Sequence, residues 1–188
     1  EARGFVNDVY LHHRGEPLTN KNLFKMIMYA RDRGIAVRFH TNAGLMSLDK
    51  SELLIEAEPN LVSISFDGFT KEIYESIRQG GNFETTVANI KEFLRRKQAI
   101  GARLPYTVIE RIRFKDATKN PDTKATRALE QEFRDLGVDE IIPMITERTE
   151  VKLREQDEPS KTARFEKVAA SALKQSKRLW LPIIHSPC

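Results

Sequence analysis

The feature that most constrains this chain is a repeated alternation of β-rich runs with amphipathic helical runs. Residues 5 to 12 read as a strand, and a helix follows from about Asn20 to Arg33. Its Leu23, Met26, Ile27 and Ala30 fall on one apolar stripe at helical spacing. Gly34 ends that helix as a left-handed cap would. Ile35 to His40 is the next β-rich run, and Asp49 with Glu52 forms a capping-box pair opening a helix to about Ala57. Leu61 to Phe66 is a strand, Thr70 caps a short helix to Ile77, and Asn82 caps a longer one to about Ala99. The longer helix carries Phe83, Val87, Ile90 and Leu94 on one face. Tyr106 to Phe114 is strand-like, and Asn120-Pro121 suits a helix start. Leu129, Phe133 and Leu136 mark that helix, Gly137 stops it, and Val138 to Ile145 is a further strand. Residues 147 to 161 read as a charged, proline-containing loop, with a last helix marked by Phe165, Val168, Ala169, Ala172 and Leu173. Alternation of this kind predicts an α/β fold, with parallel strands joined by right-handed helical crossovers. An open doubly wound sheet and a (β/α) barrel both satisfy it. Both bind ligands at the carboxyl ends of their strands.

The strand ends are "HHRGEP", "HTNAG" and "SFDG", with the strand "TVIERI" as a fourth place of interest. Gly15 lets the backbone take positive φ or approach a ligand closely. Glu16 supplies a carboxylate, and Pro17 fixes φ and donates no N–H. Together they offer acceptors to a cation such as an ammonium group; the plainer alternative is a rigid turn with an exposed Glu. Thr41-Asn42 and Ser65-x-Asp67-Gly68 suit a ligand's hydroxyls or carboxylate, although each alone is also an ordinary turn or helix cap. Arg78 precedes Gly80-Gly81 and is either a carboxylate clamp or a surface arginine. His12 and His13 point to opposite faces of their strand, so at most one of them faces a barrel interior. His40 ends another strand, and His185-x-x-Cys188 has metal-ligand spacing but only two donors. No GxGxxG or Walker A sequence is present, and no Ser-His-Asp or Cys-His set is visible.

Composition narrows the classes further. The chain has 188 residues, enough for one domain with a sizeable core. Its 31 Lys and Arg against 27 Asp and Glu leave a net charge of +4. The basic residues mostly neighbour acidic ones on the helices, which describes a solvated mixed-charge surface rather than a nucleic-acid face. No apolar run approaches the roughly 18 residues of a membrane span, so no membrane partner is expected. A single cysteine, Cys188, rules out an internal disulfide and suggests a reducing, cytoplasmic compartment. The start on Glu1 and the end on "LWLPIIHSPC" read as those of a fragment.

In combination the pieces are more specific. A strand ending in "RGEPL" leads into "LFKMIMYARDRGI", then "VRFHTNAGLMS", then "LVSISFDGFTKEIYESIRQGGNFETTVANIKEFL" and a further β-α-β. From about residue 6 to 145 this resembles the radical SAM superfamily, most closely its members with a C-terminal SPASM extension. The resemblance implies a partial (β/α)6 barrel over residues 1–150, with its first strand missing. Residues 151–188 would be a linker and helix leading into a truncated SPASM-like extension. It implies S-adenosylmethionine (SAM) and a [4Fe-4S] cluster as cofactors. The cluster would be bound by a CxxxCxxC loop lying ahead of this chain, without which the chain by itself would be inactive. Gly15, Glu16 and Pro17 match the family's "GGEP" motif, which holds the methionine ammonium; Arg14 replaces the first glycine. Ser65 and Arg78 match positions that meet the ribose or the methionine carboxylate, and Asp67-Gly68 match the "S-x-DG" turn. Thr41 and Asn42 match "TNG", with Ala43 in place of its glycine. Val108 or Ile109 would wall the adenine by position only, and Cys188 is a candidate ligand of an auxiliary iron–sulfur cluster. The implied activity is reductive cleavage of SAM to a 5′-deoxyadenosyl radical that abstracts hydrogen from a peptide, protein or small-molecule substrate, fed by an electron donor. Two other readings stay open: a cluster-free (β/α)-barrel lyase or isomerase with Glu16 as base, and a catalytically inactive binding module.

Overall fold

The computed structural model describes residues 6–112 and 123–144. The chain divides into two units, Glu1–Thr149 and Glu150–Cys188, and every described residue lies in the first. The expected helix start at Asn120-Pro121, the loop at 147–161, the last helix and Cys188 lie outside the described residues. Five strands follow one another: β1 (Asp8–Tyr10), β2 (Ala36–Thr41), β3 (Leu61–Ser65), β4 (Tyr106–Ile112) and β5 (Glu140–Met144). Each is parallel to the next, and their spatial order is their sequence order. A doubly wound sheet needs a point where strand order reverses. None occurs among the described strands, so the sheet is of the barrel kind, left open.

The helices are α1 (Leu23–Arg31), α2 (Leu48–Ala57), α3 (Lys71–Ile77), α4 (Phe83–Ala99) and α5 (Lys124–Asp135). They bury one face of the sheet. Val37, Phe39, Val62, Ile64 and Ile109 meet Leu23, Ile27, Leu54, Ile90, Phe93, Leu94 and Phe133 in one core. The central strands expect apolar residues on the helix side, and β2 alternates cleanly: Val37, Phe39 and Thr41 buried, Arg38 and His40 half-buried.

Local chemistry explains where elements begin and end. Gly34 and Gly137 close α1 and α5 at φ of +71° and +85°. Asn82 caps α4 by accepting from the Thr85 N–H at 2.7 Å. Thr123, not Asn120-Pro121, caps α5 through its hydroxyl, which accepts from Thr126 N–H. Two further expected starts move. α1 begins at Leu23 because Pro17–Thr19 form a separate 3-10 turn and the Asn20 side chain takes the Asn22 N–H in a local turn. α2 is capped at Ser47, whose extended backbone leaves the helix before Asp49. Asp49 therefore sits inside the first turn, and the Asp49–Glu52 capping box does not form.

Candidate functional site

Two groups of side chains gather at the carboxyl ends of the strands. The first centres on Glu16. Gly15 adopts φ +81°, with nothing within 4 Å of where a Cβ would stand. The Glu16 carboxylate caps the 3-10 turn by accepting from Leu18 N–H at 3.1 Å. The same oxygen accepts from the Thr41 hydroxyl at 2.7 Å, and the other from Asn42 N–H at 2.8 Å. Gly15, Glu16, Pro17, Thr41 and Asn42 are thus brought together at the ends of β1 and β2. Glu16 is a tie between these strand ends before it is anything else. A carboxylate has about four lone-pair positions; three are in use here, leaving one for a ligand.

The turn after Thr41 is held from every side. Ala43 N–H donates to Thr41 Oγ1, Gly44 N–H to Asn42 Oδ1, and the Asn89 amide of α4 to the carbonyls of Ala43 and Gly44. Ala43 sits at φ +58° and is fully buried. A side chain in the left-handed region costs about 1–2 kcal/mol, which burial of the methyl offsets by about 0.8 kcal/mol. This explains how an alanine serves at a glycine position.

The second group lies beyond β3. Arg78, at the end of α3, donates through Nε to Asp67 at 2.6 Å and reaches the Ser65 carbonyl at 3.5 Å. Asp67 is 4% exposed. Ser65 therefore joins this group through its backbone, and Arg78 enters it already paired. Phe66 anchors the turn beneath, its ring 5.1 Å from Phe69 and 5.3 Å from Tyr74. One residue of each group, Asn42 of the first and Arg78 of the second, lines a cavity of about 490 Å³ together with Leu45, Tyr74 and Gly81; Glu16 and Asp67 lie outside its lining. That volume lies within the usual range for small-molecule sites, about 300–1,000 Å³.

The other face of the sheet carries polar residues that the sequence motifs did not single out as a set. Residues paired across parallel strands share a face. Register pairs His40 with Ser63, Ser63 with Val108, and Ser65 with Glu110. Val108 is thus on the inner face, whereas Ile109 belongs to the helix-side core. Of the two candidate adenine-walling residues, only Val108 faces inward. On this face His40 Nδ1 lies 3.3 Å from Glu110 Oε2, and the His12 and His40 rings meet edge to face at 4.3 Å. The strand alternation was the available signal: His12 lies on the same face as His40, and His13 is exposed. Burial and the neighbouring His40 hold His12 below the ordinary imidazole value of 6.5, and Glu110 only partly opposes them. Among the described residues no group of His, Cys, Asp or Glu has the arrangement of a metal site.

The chain is similar to several known proteins. The chain is 32% identical over 99 residues to the AdoMet-dependent heme synthase of Methanosarcina barkeri (strain Fusaro / DSM 804), covering 48% of this chain and 28% of that protein. Its fold matches TYW1 with a lysine-pyruvate adduct bound (TM-score 0.57, 18% identity, 86% of this chain and 49% of that one). It also matches Streptococcus suis SuiB bound to precursor peptide SuiA (TM-score 0.53, 14% identity, 90% and 36%). A third match is anSMEcpe with bound AdoMet and the Kp18Cys peptide (TM-score 0.52, 16% identity, 92% and 49%). The chain thus spans less than a third of the curated relative and about half or less of these structures. An RNA methyltransferase domain model matches residues 114–188, most of them outside the described residues. The radical SAM superfamily model matches residues 2–104, more than half of the chain, and the chain belongs to that superfamily.

Proposed function

We propose that this chain forms the barrel core of a radical SAM enzyme, with SAM held where the Glu16 and Arg78 groups converge. The observation that carries this reading is that Asn42, whose N–H is bound to Glu16, and Arg78, which is paired with Asp67, line one cavity. The donor chemistry fits the cofactor's amino-acid end. Glu16 keeps one acceptor position toward an ammonium, the Gly15 corner is open, and Asn42 and Arg78 line the cavity with N–H donors suited to a carboxylate or hydroxyls. Thr41 and Asp67 act through neighbours: the Thr41 hydroxyl holds Glu16, and Asp67 holds Arg78. Pro17 shapes the same corner, and Ser65 fixes Arg78 through its carbonyl. When bound beside a [4Fe-4S] cluster, SAM supplies a 5′-deoxyadenosyl radical on reductive cleavage. Among the described residues no group of His, Cys, Asp and Glu could hold that cluster.

A peptide or protein substrate is the favoured class, supported by the peptide-bound SuiB and anSMEcpe structures that share the fold. The SPASM-type extension after residue 150, with Cys188 as an auxiliary-cluster ligand, belongs to the same proposal, as do an external electron donor and a cytoplasmic setting. No described helix is long and apolar enough to cross a membrane. The RNA methyltransferase match over residues 114–188 favours a second reading, in which the substrate is an RNA. Salt-sensitive RNA binding by the purified protein would support it, since phosphate contacts weaken steeply with added salt.

The test is calorimetric titration of SAM into full-length protein with reconstituted iron–sulfur. Glu16→Ala is expected to weaken SAM binding by about tenfold or more, the loss expected for a charge-assisted hydrogen bond, with the circular-dichroism spectrum retained. Unchanged affinity would remove Glu16 from the cofactor site. Arg78→Ala, which leaves the Glu16 corner intact, is expected to weaken binding as well.

A further inference from the structure

Inner faces of parallel barrels are ordinarily filled by bulky branched side chains. The middle of this one is built differently. β3 places Ser63 and Ser65 between His40 on β2 and Glu110 on β4. Serines are short, so the imidazole and the carboxylate meet across the intervening strand at 3.3 Å. The Ser63 hydroxyl is buried and has no hydrogen-bond partner. That is rare for a buried hydroxyl and calls for an explanation.

The proton positions follow from the partners. The backbone N–H of His40 donates to His12 Nδ1 at 3.3 Å. A nitrogen that accepts carries no proton, so neutral His12 bears its proton on Nε2 and is a donor there. His40 turns Nδ1 to the carboxylate, which leaves its Nε2 available. The floor therefore offers a donor on His12, a donor-acceptor on Ser63, and an acceptor on Glu110. A ligand anion would face the Glu110 carboxylate. A ligand cation would find a carboxylate already shared with His40, beside a second imidazole. A neutral group with one acceptor and one donor matches the set.

We propose that His12, His40, Ser63 and Glu110 form a recognition subsite for an uncharged amide group of the substrate, either a backbone peptide unit or a side-chain carboxamide. This deepens the functional reading above and rests on it for calling the ligand a substrate.

The chain has four histidines, so 13C-labelled histidine spectra of the full chain are simple to assign by substitution. Separate titrations use N-methylacetamide for a backbone unit, propionamide for a carboxamide, and acetate and methylammonium as charged probes. At least one amide is expected to shift His12 and His40 saturably while exposed His13 stays still; the stronger amide identifies the source. Ser63→Ala should weaken that amide by about tenfold, the equivalent of one lost hydrogen bond. The proposal is overturned if neither amide shifts these signals, if a charged probe shifts them as strongly, or if Ser63→Ala binds equally well. The titration requires no SAM, so its failure and the failure of the cofactor assignment are separate results.

Discussion

Gly68 is where the "SFDG" strand end meets α3 backbone to backbone. A Cβ there would stand 2.5 Å from the Tyr74 nitrogen and 2.8 Å from its Cα, and neither atom can swing aside. Gly68→Ala is expected to destabilise the fold by about 3 kcal/mol, at the upper end for overpacking, read as a lowered urea midpoint. Because Asp67 adjoins the displaced backbone, the same change should loosen Arg78 and weaken SAM binding. Sequence reading recognised Asp67-Gly68 as a turn but could not tell why glycine stands there, since the obstructing atoms belong to a helix that starts three residues later. Glu16 shows the same limit from the other side. Its carboxylate was legible as chemistry, but its bonds to Thr41 and Asn42 cross 25 and 26 residues and were not.

At the scale of elements, periodicity located all five described strands and all five described helices, with shifts of a few residues at the ends. The misplaced starts have different causes: at α5 the Thr123 hydroxyl accepts a capping hydrogen bond from Thr126 N–H, whereas Ser47 makes no side-chain cap bond and its extended backbone alone sets the start of α2. Ser47 rather than Asp49, and Thr123 rather than Asn120-Pro121, hold those positions. Lys97 is a different case. Its position continues the Phe83, Val87, Ile90, Leu94 stripe of α4 by one step of three, and although charged it is only 6% exposed. It donates to Asp139 at 2.6 Å, and the same carboxylate oxygen takes the Thr107 N–H at 2.8 Å. The pair thus fastens α4 to the starts of β4 and β5. Lys97→Met keeps the stem but removes one partner of a carboxylate that is partly open to water and still takes the Thr107 N–H, and is expected to cost about 1.5 kcal/mol, the lower end for a hydrogen bond to a charged group. Denaturant unfolding of the variant beside Lys97→Arg checks it; equal stability of Lys97→Met and the parent would show the pair to be inert.

For the whole molecule, the His12 environment gives stability a pH dependence of known sign. The folded protein holds His12 below the ordinary value of 6.5. Above 6.5 the group is neutral folded and unfolded, and its contribution is fully present. As pH falls below 6.5 the unfolded chain takes up the proton first, so stability is lost until the folded-state value is passed. His12→Gln retains an acceptor for the His40 N–H without titrating, and should flatten this part of the profile in urea unfolding measured on either side of 6.5. An unchanged slope would assign the loss to other groups. The sequence by itself determined the alternation of strands and helices, the α/β class and the chemistry gathered at the strand ends, because these depend on periodicity and on residues adjacent in the chain. Only the tertiary structure decided that strand order does not reverse among the described strands, that Glu16 and Arg78 are already engaged by Thr41, Asn42 and Asp67, and that His12, His40, Ser63 and Glu110 share one face. The physical reason is register. Which residues stand opposite one another is set when separate strands pack side by side, and local pattern carries no record of it.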